Sequence, residues 1–324
     1  MVPVAKRAVA GNFYYPATVV PRRRDAHNWR GLTVARAVLY NNAMSAIHAL
    51  QPAYAISAFA IGMLVGMTGI GGGSLMTPIL ILLFGMHPAA AVGTDLLQAA
   101  AMKTAGSVVH GLNRTIEWGV VRRLAAGSIP VTILTLYALS TLDINGPAAR
   151  LLINGVLTFA LLITAVALIF RDRVVDRYAA RLAALTTRQV AILTTTIGCV
   201  LGALVSISSV GAGAIGVTCL FLLYPKLPAA RIVGSDIAHA VPLTLIAGIG
   251  HWFLGSVDVQ VLVSLIAGSV PGIVLGSYVA LRLPETALRL VLAATLIVVA
   301  AKMSTSLFSP APADLVAVKS TAPH

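Results

Sequence analysis

The sequence predicts an all-α polytopic membrane protein made of two inverted repeats, and three observations predict this fold class. Hydrophobic residues make up 58% of the 324 residues and charged residues only 10%, with a mean hydropathy of +0.91, whereas a soluble surface needs far more charge. One series of sequence motifs occurs twice. Each copy also contains an apolar segment that is too short to cross a bilayer alone, because a spanning helix needs about 20 residues.

The duplication is visible as a shared order of motifs. Each copy has a Gly-rich turn, an acid at the end of a VGTD or VGSD box, a histidine, a second acid and an Ala-Gly-Ser-apolar-Pro run. Four equivalent pairs are each 141 residues apart: Asp95 and Asp236, His110 and His251, Glu117 and Asp258, Pro130 and Pro271. Duplicated membrane halves are the usual construction of secondary transporters, in which the substrate site lies between the halves.

Ten apolar segments follow the basic N-terminal region, and we expect each to be helical. Segments 74–85 and 212–224 are short, and each predicts the return arm of a Gly-rich broken or re-entrant hairpin beside three transmembrane helices. Such a hairpin adds an even number of crossings, so each half crosses an odd number of times and the halves are inverted. The segments are 53–68, 74–85, 89–110, 119–140, 150–170, 189–207, 212–224, 229–252, 259–281 and 286–305.

The expected organisation has five parts: a basic N-terminal extension at 1–52, a first membrane repeat at 53–170, a basic linker at 171–188, a second membrane repeat at 189–305 and a disordered tail at 306–324. With the linker in the cytoplasm, 12 Lys or Arg residues lie on that side of the membrane and 3 on the other, as the positive-inside rule requires. The basic extension then lies on the wrong side. We expect it to be disordered, and either translation starts at Met44 or the extension is genuine.

Composition also limits the partners. The net charge of +13 comes from residues beside the apolar segments, so it reports orientation in the lipid bilayer rather than nucleic-acid binding. Cys199 and Cys219 lie inside apolar runs without metal-ligand spacing, and we expect them to be small buried hydrophobic residues. We therefore predict no metal, cofactor or nucleic-acid partner, and the sequence leaves the oligomeric state open.

The Gly-rich turns are candidate anion-binding sites. A helix N-terminus exposes unpaired N–H groups and the positive end of the helix dipole, so a helix that begins at mid-membrane can hold an anion. Alternatively, the glycines only allow close helix packing, but their occurrence in both halves favours binding. The predicted substrate-binding residues are Gly71, Gly72, Gly73, Ser74, Thr94, Ser209, Gly211, Gly213 and Ser235.

Two acids lie inside predicted helices. Asp95 and Asp236 are about two turns from the start of their segments, where an ionised carboxylate costs about 2.5–3.5 kcal/mol. Each is either a coupling group that binds a proton or another cation, or a structural acceptor for the hairpin backbone. His239 lies three residues after Asp236, on the same helical face, and could pair with it.

Two histidines and one lysine complete the candidate set. His110 and His251 follow the two acids by fifteen residues, about 22 Å along a helix, which is too far for direct contact. Their position at segment ends favours an interfacial anchor over a proton relay. Lys103 is a cation deep in a predicted helix, and its side chain either extends to the cytoplasmic interface or faces a cavity as the positive charge for an anion.

Three strings resemble the TauE/SafE sulfite exporter family of bacterial permeases: GMTGIGGGSLMTPIL (Gly66 to Leu80), AVGTDLLQAAAMKTAGSVVH (Ala91 to His110) and VGSDIAHAVPLTLIAGIGH (Val233 to His251). The resemblance covers about residues 53–305. It implies a multi-pass protein of the bacterial inner membrane that moves sulfite, sulfoacetate or related organosulfonates by alternating access. The extension 1–50 and the reduced second Gly-rich turn at 208–213 depart from the family pattern.

Other functions compete with this one. The protein could transport another small anion or ion, or act as a membrane scaffold, although a scaffold would not need matched Gly-rich turns and intramembrane acids. An intramembrane hydrolase would use Ser74 or Ser209 with His110 or His251, but the duplication gives it two partial sites without an orienting acid. We therefore expect a transporter and not an enzyme, with protons as a candidate coupling ion.

Overall fold

The computed structural model describes residues 51–68, 73–182, 184–280 and 285–308, and the regular structure in these ranges is helical. The predictions for residues 1–50 and for the tail beyond residue 308 fall outside the described residues. The ten helices of the described ranges are α1 (Pro52–Thr68), α2 (Gly73–Leu82), α3 (Pro88–Leu112), α4 (Trp118–Ser140), α5 (Pro147–Leu182), α6 (Thr187–Ser208), α7 (Ala214–Leu223), α8 (Ala229–Phe253), α9 (Val259–Ala280) and α10 (Glu285–Phe308).

The helices coincide with the ten predicted segments, and every helix end but one lies within three residues of its predicted position. Capping residues set several ends: α3 begins at a proline, which suits the first helical position, and Thr186 and Gln189 form a capping box at the start of α6. The exception is α5, which continues to Leu182 because no Gly or Pro interrupts residues 171–182. The first part of the predicted linker is therefore helical.

Five helices among the described residues are long and apolar enough to cross a membrane: α4, α5 as far as Tyr178, α6, α8 and α9 as far as Gly276. Large apolar side chains point outward from the bundle, such as Leu134 of α4 at 65% exposed, as lipid-facing positions require. Helices α2 and α7 have ten residues each, about 15 Å of helix, which is half of a bilayer core of about 30 Å. The prediction of an all-helical, multi-pass membrane protein is confirmed.

The two halves exchange packing partners. Helix α1 of the first half packs against α9 of the second, and α6 of the second half packs against α4 of the first, while α3 and α8 pack against each other. Glycines allow the exchanged helices to approach closely. A Cβ atom at Gly268 of α9 would collide with the carbonyl oxygen of Ala55 in α1, and one at Gly127 of α4 would collide with that of Thr195 in α6.

Reciprocal hydrogen bonds also join the halves. The hydroxyl of Thr94 accepts the backbone N–H of Asp258 at 3.0 Å, and the hydroxyl of Ser235 accepts that of Glu117 at 2.8 Å. These four residues form two equivalent pairs, since Thr94 and Ser235 are also 141 residues apart. Glu117 is the residue before the first turn of α4, so these contacts satisfy N–H groups at helix starts that would otherwise lack a partner.

Candidate functional site

The second Gly-rich turn interrupts the chain between α6 and α7. Ser209 has φ 59°, Gly211 φ 118° and Gly213 φ 136°, and the last two values belong to a region that favours glycine. Apart from Ile215, which is half-buried, residues 208–218 are buried. The sequence prediction of irregular backbone inside the protein, followed by a short helix, is therefore correct for this turn.

This turn contains backbone donors without protein partners. The N–H groups of Gly211, Ala212 and Gly213 donate no hydrogen bond to any residue that the structure describes, and α7 has no side-chain cap at Gly213. The Ser209 hydroxyl is also buried and meets no hydrogen-bond geometry among the described residues, although the Asp95 carboxylate of the first half lies near it. Because buried N–H and hydroxyl groups are almost always hydrogen-bonded in folded proteins, this cluster has the character of a site for a hydrogen-bond acceptor.

Lys103 of α3 reaches this turn from the first half. Its ammonium donates to the carbonyl oxygen of Ala212 at 3.3 Å, and the residue is 8% exposed. Of the two orientations that the sequence left open, the side chain takes the inward one. A positive charge from the first half thus lies beside the second Gly-rich turn, at the carbonyl oxygen of Ala212.

Asp95 and Asp236 each pack against the short helix of their own half, but with different contacts. Asp95 accepts the hydroxyl of Thr77 in α2 at 2.5 Å. Asp236 lies against α7, where a Cβ atom at Gly216 would collide with its Oδ1, and it accepts no hydrogen bond from the described residues. Lys103 interacts electrostatically with both carboxylates, but it forms an ion pair with neither of them within 4 Å.

His239 does not pair with Asp236, contrary to the possibility raised by their spacing. Its Nε2 forms a 2.8 Å hydrogen bond with the hydroxyl of Ser128 in α4, and its Nδ1 has no partner among the described residues. The side chain is fully buried. The ring therefore contacts α4 and not the carboxylate three residues earlier in its own helix. Helical spacing compares residues within one helix, so it cannot reveal a contact between α4 and α8.

The two repeated histidines fasten the turns that follow their helices. His110 Nδ1 bonds to the Thr115 hydroxyl at 2.8 Å, and His251 Nδ1 bonds to the Ser256 hydroxyl at 3.2 Å. His251 is fully buried, and its Nε2 bonds to the Ser206 carbonyl oxygen at 2.9 Å, so it ties α8 to α6 instead of anchoring an interface. Both of its nitrogens are therefore engaged away from Ser209, which leaves the hydrolase pairing of these two residues without geometric support.

A cavity of about 330 Å³ lies beside Lys103. Its lining comes from α1, α2, α3, α8 and α9 and is mainly apolar, with Gln98, Lys103 and His110 as its polar members. Along α3 it extends from Gln98 to His110, and on α8 it includes Val233 and Ile237. The cavity therefore connects the buried lysine with one end of the central helix pair.

The remaining predicted site residues are distributed as follows. Gly71 and Gly72 fall outside the described residues, and Gly73 and Ser74 begin α2, with their side chains also outside the description. Thr94 and Ser235 use their hydroxyls between the halves. Sequence reasoning missed Thr77, Ser128 and the carbonyl oxygen of Ala212, and the one available signal was the repeated Ala-Gly-Ser-apolar-Pro run that contains Ser128.

A duplicated helical membrane domain, with an irregular turn and buried charges where its halves meet, defines a membrane transporter. The family model described as "Sulfite exporter TauE/SafE" matches residues 54–303. The chain belongs to this family.

Two relatives from Bacillus subtilis (strain 168) support the assignment. "Probable membrane transporter protein YjnA" is 35% identical over 246 residues, which are 75% of this chain and 95% of that protein. "Probable membrane transporter protein YunE" is 39% identical over 71 residues, which are 22% of this chain and 26% of that protein. No solved structure matches the chain significantly.

Proposed function

We propose that the protein is a secondary transporter of small sulfur-containing anions, such as sulfite, sulfoacetate or related organosulfonates, in a bacterial inner membrane. The observation that carries this proposal is the buried cluster of N–H groups at Gly211, Ala212 and Gly213, which have no partner among the described residues, with the Lys103 ammonium beside the same turn. Oxyanions accept several hydrogen bonds at once, which is what this cluster offers.

The anion site proposed here combines both halves. The second half supplies the backbone donors and the Ser209 hydroxyl, and the first half supplies Lys103. The Gly-rich turn of the first half, with Gly71, Gly72, Gly73 and Ser74, is proposed to complete the site. Thr94 and Ser235, whose hydroxyls already accept N–H groups of the other half, are proposed to hold the halves in register instead of touching substrate.

The cavity provides the route to this site. It leads from Lys103 towards His110 and Val233, the end of the helix pair that lies near Arg114, Arg231 and the other cations assigned to the cytoplasm. We infer an inward-open vestibule. Alternating access then requires rearrangement of the exchanged pairs α1 with α9 and α4 with α6, which would close this vestibule and open a second one at the opposite end.

The inverted arrangement of the halves predicts a labelling pattern. In a background with Cys199 and Cys219 replaced by alanine, cysteines at Asn145 and Val259 should react from one side of the membrane only. A cysteine at Asp176 should react from the other side, because an odd number of crossings separates it from Asn145. Membrane-impermeant maleimide on sealed right-side-out and inside-out vesicles measures this. Labelling of Asn145 and Asp176 from the same side would contradict the inverted repeat.

Counterflow in proteoliposomes tests the function itself. Vesicles loaded with an unlabelled anion should accumulate the same labelled anion, and the panel comprises sulfite, sulfoacetate, isethionate, sulfate, phosphate and chloride. We expect sulfur oxyanions to exchange faster than phosphate and chloride. Exchange of chloride or phosphate alone would assign the protein to another anion, and exchange of none of the six, with protein present in the vesicles, would refute the proposal.

A further inference from the structure

The buried charges around the proposed anion site do not balance. Asp95, Lys103 and Asp236 are each 8% exposed or less, and two carboxylates with one ammonium carry a net charge of −1. An anion that entered this set would raise the net charge to at least −2 inside the membrane, where uncompensated charge is very costly. At least one carboxylate must therefore be neutral when the anion is bound.

The hydrogen bonds distinguish the two acids. Asp95 accepts the Thr77 hydroxyl, and this contact links α3 to α2. The equivalent hydroxyl in the second half, Thr218, donates instead to the Ala214 carbonyl oxygen at 2.7 Å. Asp236 thus accepts no hydrogen bond from the described residues at either carboxylate oxygen, whereas Asp95 lacks such a bond only at Oδ1. Protonation of Asp236 therefore affects no hydrogen bond to a described residue.

The groups around Asp236 leave Lys103 as its electrostatic partner. Lys103 of α3 and Cys219 of α7 interact electrostatically with Asp236, whereas Asp95 and His239 interact with Lys103. The other charged residues on α4 and α6 lie near the helix starts: Glu117 just before α4, Arg122 and Arg123 in its second turn, and Arg188 in the first turn of α6. Glu117 is already paired with Arg231 at 3.4 Å.

Access for a proton exists beside the carboxylate. Val233 and Ile237, which flank Asp236 on α8, line the cavity that also contains Lys103. Asp236 itself does not line the cavity and is 2% exposed, so its carboxylate lies next to this route and not on it.

We propose that Asp236 carries a coupled proton and that protonation of its carboxylate frees the positive charge of Lys103 for the anion, which makes the protein an anion–proton symporter. This proposal rests on the proposed function. The proton binds a carboxylate oxygen from one side, crosses with the anion and leaves to the other side, after which the carboxylate again neutralises Lys103. Asp95, held by Thr77, stays structural.

The test uses purified full-length protein in proteoliposomes with a pH-sensitive dye inside and isethionate as probe, because its sulfonate keeps one negative charge throughout the assay. An inward proton gradient should drive isethionate uptake with proton entry in the wild type. In Asp236→Asn this driven uptake should fall about tenfold or more, within the usual range of coupling between sites, while isethionate counterflow continues. Asp176→Asn, which removes an exposed acid of α5, is the matched control and should keep gradient-driven uptake. Asp95→Asn is measured beside it to test the other buried acid.

Each result separates the two proposals. Absence of isethionate counterflow in the wild type counts against the anion function, whereas counterflow without proton entry overturns proton coupling alone. Loss of gradient-driven uptake in Asp95→Asn but not in Asp236→Asn would move the proton to Asp95. If Asp236→Asn does not reach the vesicles, Asp236→Glu decides: a shifted pH midpoint for driven uptake supports the proposal, and an unchanged midpoint overturns it.

Discussion

Replacing Lys103 with methionine is expected to weaken anion binding by roughly 30-fold or more, because loss of one partner of a buried charge interaction costs about 2 kcal/mol or more. The methionine side chain has a similar length, so it fills the space beside Ala212 without a donor or a charge. Two carboxylates then remain near the anion site without the ammonium that compensates them. The dissociation constant for sulfite or isethionate, measured by counterflow competition, reports the change.

The matched control for this prediction is Lys226→Met, since Lys226 is exposed beyond the end of α7. It removes the same charge from the chain and should leave the dissociation constant unchanged. Equal affinity in Lys103→Met and the wild type, with both proteins folded, would place the anion away from the second Gly-rich turn. A loss of equal size in both variants would show that net charge, and not the buried site, controls binding.

Most of the helical framework was predictable from the sequence. Long apolar runs interrupted by Gly, Pro and charged residues give helix positions directly, and a run of 18 to 25 apolar residues has few other stable structures in a bilayer. The end of α5 was missed because residues 171–182 are charged but contain no helix breaker. The charged residues from Arg171 onward predicted a linker, but these residues also favour a helix, and α5 continues through them to Leu182.

The contacts between the halves were less predictable. Lys103 and Ala212 are 109 residues apart, and Ser128 and His239 are 111 residues apart. Helical spacing compares residues only within one helix, so it led to a pairing of His239 with Asp236 that does not form. The repeat allows a stronger prediction of contacts than helical spacing does. Equivalent residues such as Thr94 and Ser235 make equivalent contacts, so one contact predicts the other.

The duplication is symmetric in packing but not in chemistry. Both halves take part in the helix exchange, and both have the close glycine crossing. Each half also has one turn in which a histidine bonds to a hydroxyl, at His110 and at His251. Lys103 corresponds to Thr244 and Gln98 to His239, at the same offset of 141 residues. The two repeats thus share their packing but differ in their polar residues. This combination suits a transporter in which both halves move alike while one lysine and one acid bind the anion and the proton.

Packing symmetry leads to a prediction about stability: Gly268→Ala and Gly127→Ala should each destabilise the protein by about 1–3 kcal/mol or more, as overpacking of a close interface does. In both cases the new methyl group meets a backbone carbonyl oxygen, of Ala55 or Thr195, which cannot rotate away as a side chain can. The two losses should be similar, because each glycine lies at the equivalent crossing of the exchanged helices. The unfolding temperature in detergent, followed by fluorescence-detected gel filtration, measures them.

Gly155→Ala in α5 provides the matched control, since a Cβ atom there has no neighbour within 4 Å. Alanine is the better helix former by about 1 kcal/mol, so this variant should unfold at the wild-type temperature or slightly above it. Wild-type stability of Gly268→Ala would mean that α1 and α9 are not in close contact. A large loss at Gly268 with none at Gly127 would show that the two halves depend on different interfaces. It would also remove the packing symmetry on which the proposed rearrangement of the pairs α1–α9 and α4–α6 depends.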